Sequence, residues 1–187
     1  MVLPETTKAQ QATILPDILA PNLDVIFVGA APSHSSAEIG HFYAGPTNKF
    51  WLLLAQAGFT PRKLESHEDA EALRYGIGLT GIYLNLATSA NHLLPTPTAE
   101  QREALRTKLL AFAPRFVCYN GKDVYTMATG RVCTDWGEQE ERIGSSRVFV
   151  VHSSSARADA WGRERLVLYK ELKSLIAAEH RPFEMRP

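Results

Sequence analysis

Asp24-Val-Ile-Phe-Val-Gly-Ala-Ala-Pro-Ser-His34 is an apolar run that passes without interruption into a loop of small residues. A run of this kind marks a strand buried on both faces, as strands of parallel sheets are. Working outward from it, strands are expected at Asp24–Gly29, Thr80–Asn85, Arg115–Tyr119 and Arg147–His152. Helical patterns fall between them. Asn48–Ala57 reads as a helix stopped by Gly58, and Thr98-Ala-Glu-Gln101 as a capping box opening a helix that ends before Pro114. Gly121–Ala128 reads as a short helix, and a closing helix runs to about Ile176. Strands alternating with helices imply right-handed crossovers. The expected fold is therefore a three-layer α/β/α domain around a central, mostly parallel four-stranded sheet. It spans residues 21–178, after a loosely attached lead-in of residues 1–20 and before a tail of residues 179–187.

Composition narrows the function classes. The chain has 187 residues, 45% apolar and 21% charged, which suits one domain with a substantial core. Lys plus Arg and Asp plus Glu number 20 each, so no polybasic coat captures nucleic acid from a distance. A local basic rim with backbone amides remains compatible with that balance. The two cysteines, Cys118 and Cys133, fall short of the four thiolates of a usual iron–sulfur cluster. No close-spaced His cluster suggests zinc, and no cofactor or metal is expected. No apolar stretch reaches membrane-spanning length, and Met1–Pro16 lacks a signal peptide's basic start and apolar core. A cytoplasmic protein is expected, in the bacterial cytosol or associated with the nucleoid.

In sheets of this type ligands bind beyond the carboxyl ends of the strands. Those ends carry Ala30–His34, Asn85–Thr88, Asn120–Lys122 and His152–Arg157, all small or polar. Strand ends are commonly polar loops, so this alone selects no chemistry.

The ordered segments do more. Leu19-Ala20-Pro21, Gly29-Ala-Ala-Pro-Ser33, Gly40-His-Phe-Tyr-Ala-Gly-Pro-Thr-Asn-Lys-Phe-Trp51, Tyr75–Thr80, Gly121-Lys122, Trp136-Gly137 and Ser153-Ser-Ser-Ala-Arg157 follow one another at compatible spacings. Together they resemble the uracil-DNA glycosylase superfamily from Ile18 to about Ile176, above all its mismatch-specific uracil/thymine branch. The resemblance implies a monofunctional enzyme that flips a nucleotide out of DNA and hydrolyses its N-glycosidic bond, leaving an abasic site. No metal takes part, and the partner is DNA containing uracil or an abasic site, bound by a monomer.

Residue roles follow from the same resemblance. Tyr43 stacks on the flipped base, and Asn85, in Ile82-Tyr-Leu-Asn-Leu86, reads the pyrimidine edge with its paired donor and acceptor. His152 replaces the Pro of the mismatch-specific branch. It matches the histidine that another branch uses to hydrogen-bond the departing base. Arg157 is the wedge that fills the vacated space, unless a one-residue shift assigns that place to Ala156. Ser33, Ser153, Ser154 and Ser155, and more weakly Lys122, hold phosphates. Each has a plainer reading too: Tyr43 as a core ring beside Phe42, Asn85 as a strand cap, His152 as a structural histidine, Arg157 as a surface arginine.

One position departs from the pattern. Ala31 stands in the base-binding loop where the family places the Asn that holds the attacking water. Asn48, His34 and Glu38 are the replacements considered, along with no replacement at all. General-base help contributes about 10²–10⁴-fold, so a good leaving group such as uracil tolerates a weak substitute. A non-catalytic binder of damaged or abasic DNA, using the same pocket, is the alternative. A serine hydrolase built on Ser153–Ser155 lacks the Gly-x-Ser-x-Gly elbow.

Overall fold

Val25, Ile26, Phe27 and Val28 have no solvent exposure because successive side chains leave the strand on opposite faces and both faces are covered. Val25 and Phe27 enter one core, Ile26 and Val28 the other. This strand, β1 (Val25–Gly29), lies inside the sheet, next to its β2 edge, in the computed structural model, which describes residues 14–179. Parallel partners flank it: β2 (Ile77–Gly81) on one side and β3 (Phe116–Asn120) on the other. Beyond β3 comes β5 (Ser146–Val151), also parallel, and then β4 (Gly137–Ile143), antiparallel to β5. The order is β2-β1-β3-β5-β4.

Helices α1 (His34–Ile39), α2 (Phe50–Gln56), α3 (Ala99–Phe112), α4 (Lys122–Thr129) and α5 (Gly162–Ala178) complete the chain, with a 3₁₀ segment over Ser66–Tyr75. Phe50, Leu54, Tyr169 and Leu172 of α2 and α5 pack on one sheet face. Leu105, Leu109, Val124 and Tyr125 of α3 and α4 pack on the other. The result is a three-layer α/β/α sandwich. At the start of α3, Thr98 and Gln101 exchange the two hydrogen bonds of the expected capping box, at 3.2 and 2.9 Å.

Two expectations need correction. The sheet has five strands, not four. Strand β4 reads Gly-Glu-Gln-Glu-Glu-Arg-Ile, and its exposed side chains are charged because it is an edge that meets water. A search for apolar runs passes over such a strand. The second strand also ends at Gly81 rather than Asn85. Its glycines hide it, although a Cβ at Gly78 would stand only 2.6 Å from a Leu23 methyl carbon, so close packing demands glycine there. Past Gly81 the chain turns over the end of β1, with Ile82 and Tyr83 N–H groups donating to Gly29 and Ala30 carbonyls at 3.0 and 2.8 Å. Of the expected lead-in, residues 14–20 are held against the sheet, while residues 1–13, like the tail from residue 180, lie outside the described residues. Leu15 is 1% exposed, and Ile18 exchanges hydrogen bonds with Leu79 at 3.0 and 2.8 Å along the β2 edge.

The loop between α1 and α2 is fixed by a buried carboxylate. Asp69 accepts from the Phe42 N–H at 2.9 Å and meets His41 Nδ1 at 3.2 Å. Trp51 Nε1 donates to the Phe42 carbonyl, and the Ala44 N–H donates to Ser36 Oγ. Between these anchors Tyr43 takes the left-handed φ of 54°. Replacing Asp69 by Ala is expected to lower the unfolding free energy by about 1–3 kcal/mol, since it orphans the Phe42 N–H. Asp69→Asn keeps an acceptor and is expected to recover most of that loss in urea titrations; equal losses would contradict the assignment.

Candidate active site

The polar strand ends converge on a cavity of about 830 Å³ along the carboxyl edge of the sheet. Its walls come from the loops after β1 and β5, the loop entering α2, the segment Thr88–Pro97, and the junction of β3 with α4. It reaches over the sheet edge from the Phe42 side to the Val124 side, and thus from one helical layer to the other.

Asn120 ties these walls together. At the last position of β3 it is 6% exposed, and its amide faces three elements. Nδ2 donates to Ser154 Oγ at 2.9 Å, and Oδ1 accepts from the Ser154 N–H at 3.0 Å and the Tyr169 hydroxyl at 3.5 Å. It also shares a hydrogen bond with the Tyr43 hydroxyl. The Lys49 N–H donates to the Ser154 carbonyl at 2.9 Å, joining the second loop to the start of α2. Sequence reasoning noted Asn120 only as a polar strand end. The signal was present: one amide closing the run Phe-Val-Cys-Tyr has to be buried, and a buried amide has to be satisfied.

Tyr43 lines the cavity with one ring face stacked on Phe50, centroids 3.8 Å apart. Burial raises the pKa of its phenol, partly offset by the bond to Asn120, so it is a neutral hydroxyl at physiological pH. Asn48 lines the same cavity. Its Oδ1 accepts the Phe50 N–H at 2.9 Å, an arrangement that fixes the amide and leaves a second lone pair on the oxygen. Ala31, Ser33, Ser153, Ser154, Ser155 and the exposed Arg157 also line it. Ser33 caps α1, accepting from the Ser36 N–H at 3.1 Å. Opposite, Asn91 Nδ2 donates to Asp123 Oδ2 at 2.6 Å and clasps the Thr88–Pro97 segment to α4. Neither residue is marked by the sequence motifs.

Four candidates lie elsewhere. His34 is exposed on α1, off the cavity wall. Asn85 faces a separate depression with Asp17 and Lys108, because the strand that was to carry it ends four residues earlier. Lys122 points to the β4 side, its ammonium 2.5 Å from the Thr134 carbonyl and 4.4 Å over the Trp136 ring. His152 is the consequential case. It is 3% exposed, packed on Trp136 at 3.8 Å between ring centroids, and outside the cavity lining. Strand alternation accounts for this: Val151 enters the core under α2 and α5, so the next residue turns to the opposite face, where Trp136 stands. Burial lowers the imidazole's pKa, Arg165 and Lys122 act in the same direction, and Glu164 opposes them.

Two outcomes follow. Asn120→Ala is expected to lose at least about 1–3 kcal/mol of stability, because the Ser154 N–H and Tyr169 hydroxyl lose their partner. Unchanged urea midpoints would refute the knot. The depressed His152 pKa makes the unfolded chain bind more protons as pH falls below the ordinary imidazole value. Stability is therefore full above that value and declines below it. His152→Gln is expected to flatten that decline in denaturation curves measured from neutral to mildly acid pH.

The comparisons with known proteins agree with this architecture. The solution NMR structure of a candidate uracil DNA glycosylase from Methanosarcina acetivorans superposes with a TM-score of 0.56 at 18% identity, covering 85% of this chain and 96% of that one. The family model described as the uracil DNA glycosylase superfamily matches residues 16–175, which include all of the cavity's lining residues but Leu15. By that match the chain belongs to the uracil DNA glycosylase superfamily.

Proposed function

We propose that the protein is a monofunctional DNA glycosylase that excises uracil and leaves an abasic site. The observation carrying this reading is that Tyr43, Asn48 and the Ser153–Arg157 turn, drawn from two motifs over a hundred residues apart, line one cavity. A flipped uracil enters the cavity and lies on the Tyr43 ring, which Phe50 backs and holds flat. Stacking of this kind is worth about 1–3 kcal/mol and suits any base, so it supplies affinity rather than choice. Arg157, at the exposed rim, fills the gap left in the helix. Backbone N–H groups and hydroxyls of Ser33 and Ser153–Ser155 hold neighbouring phosphates.

The bond from the sugar carbon to uracil N1 breaks with its electron pair moving onto the base. A water then bonds to that carbon and loses a proton to solvent, while the base anion takes one up, so that the products are the sugar hydroxyl and neutral uracil. Asn48 is the residue placed to orient this water, since its second Oδ1 lone pair accepts a water hydrogen while the Phe50 N–H pins the amide. Ala31 contributes space rather than chemistry. His152, packed on Trp136 and outside the cavity lining, is given no contact with the base.

The position of His152 and the presence of Ala31 favour a second reading, a binder of damaged or abasic DNA that does not turn over. A labelled uracil oligonucleotide, incubated with the protein and treated with alkali, distinguishes them. The glycosylase reading predicts strand cleavage. A band shift on abasic DNA without cleavage supports the binder. Asn48→Ala is expected to lower kcat by about 10²–10⁴-fold with affinity for abasic DNA little changed. Tyr43→Ala is expected to weaken DNA binding by about 1–3 kcal/mol. An undiminished rate in Asn48→Ala would remove that residue from its role.

A further inference from the structure

Helix α5 lays Arg165, Tyr169, Leu172 and Ile176 along its buried face. That spacing is an apolar stripe, and three of its positions are filled as a core stripe requires. The fourth is a guanidinium only 2% exposed. Among the described residues no other lysine or arginine is buried. A buried cation is unfavourable unless its surroundings offset the lost hydration, whereas methionine of similar size would complete the stripe directly.

Its neighbours supply a use for the charge. Arg165 Nη2 donates to the Ser155 carbonyl at 3.3 Å, and Ser155 lies on the cavity wall between Ser153 and Arg157. The guanidinium therefore stands one layer behind the second motif. Its field also reaches Tyr169 and His152. Around the imidazole the charged groups are Glu164 and Arg165 of α5 and Lys122 of α4, with Trp136 against the ring.

We propose that Arg165 is a positioning residue of the second motif, clamping the Ser153–Arg157 turn and holding a fixed positive charge behind the cavity wall. The proposal rests on the glycosylase reading and adds to it a source of stabilisation for the anionic base as it leaves. A charge fixed in advance in a poorly hydrated site favours the charge-separated transition state over the neutral substrate. The benefit is greatest when the departing base is a poor anion.

The test uses Arg165→Met and Arg165→Lys. Three quantities are measured: single-turnover release of uracil and of 5-fluorouracil, whose N1 is the more acidic, from the same duplex; affinity for a tetrahydrofuran abasic analogue; and the His152 titration by NMR. Arg165→Met is expected to slow uracil release by about 10–100-fold, less than loss of a direct oxyanion donor. It is expected to slow 5-fluorouracil release less, to leave abasic affinity near wild type, and to move the His152 titration upward. Arg165→Lys keeps the charge and is expected to recover most of the uracil rate. Equal losses for the two bases with an unmoved His152 would overturn the proposal and leave a packing residue. If Arg165→Met does not fold, Arg165→Lys decides: a folded lysine variant losing both bases alike overturns it. The titration needs no turnover. A raised His152 value in a protein that releases no base upholds the placement of the charge and refutes the glycosylase reading. An unmoved value in a protein that does release base overturns the placement alone.

Discussion

The Asn120 amide is the constraint on which the site depends. It closes β3 inside the protein, where each of its polar atoms needs a partner, and it finds them on Ser154, Tyr169 and Tyr43. Those partners belong to the loop after β5, to α5 and to the loop before α2. One buried side chain thus fixes three segments that are distant in sequence. The Lys49–Ser154 backbone bond adds a second tie between the same two loops. A loop on a sheet edge is ordinarily free to shift, and these bonds remove that freedom where the proposed function seats a base.

On the proposed reading, seating a base here relies on shape and stacking more than on net charge. The chain carries equal numbers of acidic and basic residues, so its long-range attraction for DNA is weak. The cavity compensates locally, with Arg157 at the rim, a rigid Tyr43–Phe50 stack inside, and serine hydroxyls and N–H groups between them. Asp123 stands on the same wall, its carboxylate accepting from Asn91. A rim with both signs of charge suits the reading of a nucleotide drawn out of the helix better than a tight grip on the backbone.

How much of this the sequence revealed depended on which signal each residue carried. The central strands were plain, because two-sided burial makes Val25–Val28, Phe116–Tyr119 and Val148–Val151 continuously apolar. The capping box of α3 was plain for its local chemistry. Strand β4 was hidden by its charged edge, and β2 by the glycines that let it pack against Leu23. Tyr43, Asn48, the serines and Arg157 came together because motif spacing encodes loops at one sheet edge. Asn85 and His152 did not, since their direction depends on where a strand stops and which face the next side chain takes. A one-residue difference reverses that direction. Asn120 carried a local signal, an amide closing an apolar run, but its partners, like the pairing of Asn91 with Asp123, are contacts more than 30 residues away in sequence, which no local pattern records.

The central claim is that two motifs build one cavity in which a flipped uracil loses its sugar to water. Mass-spectrometric detection of the free base from a uracil-containing duplex, with enzyme in excess over DNA, addresses it most directly. The account predicts one equivalent of free uracil for each abasic strand formed. DNA retained on the protein with its uracil still attached, after times long enough for many unfolding-independent encounters, would contradict it.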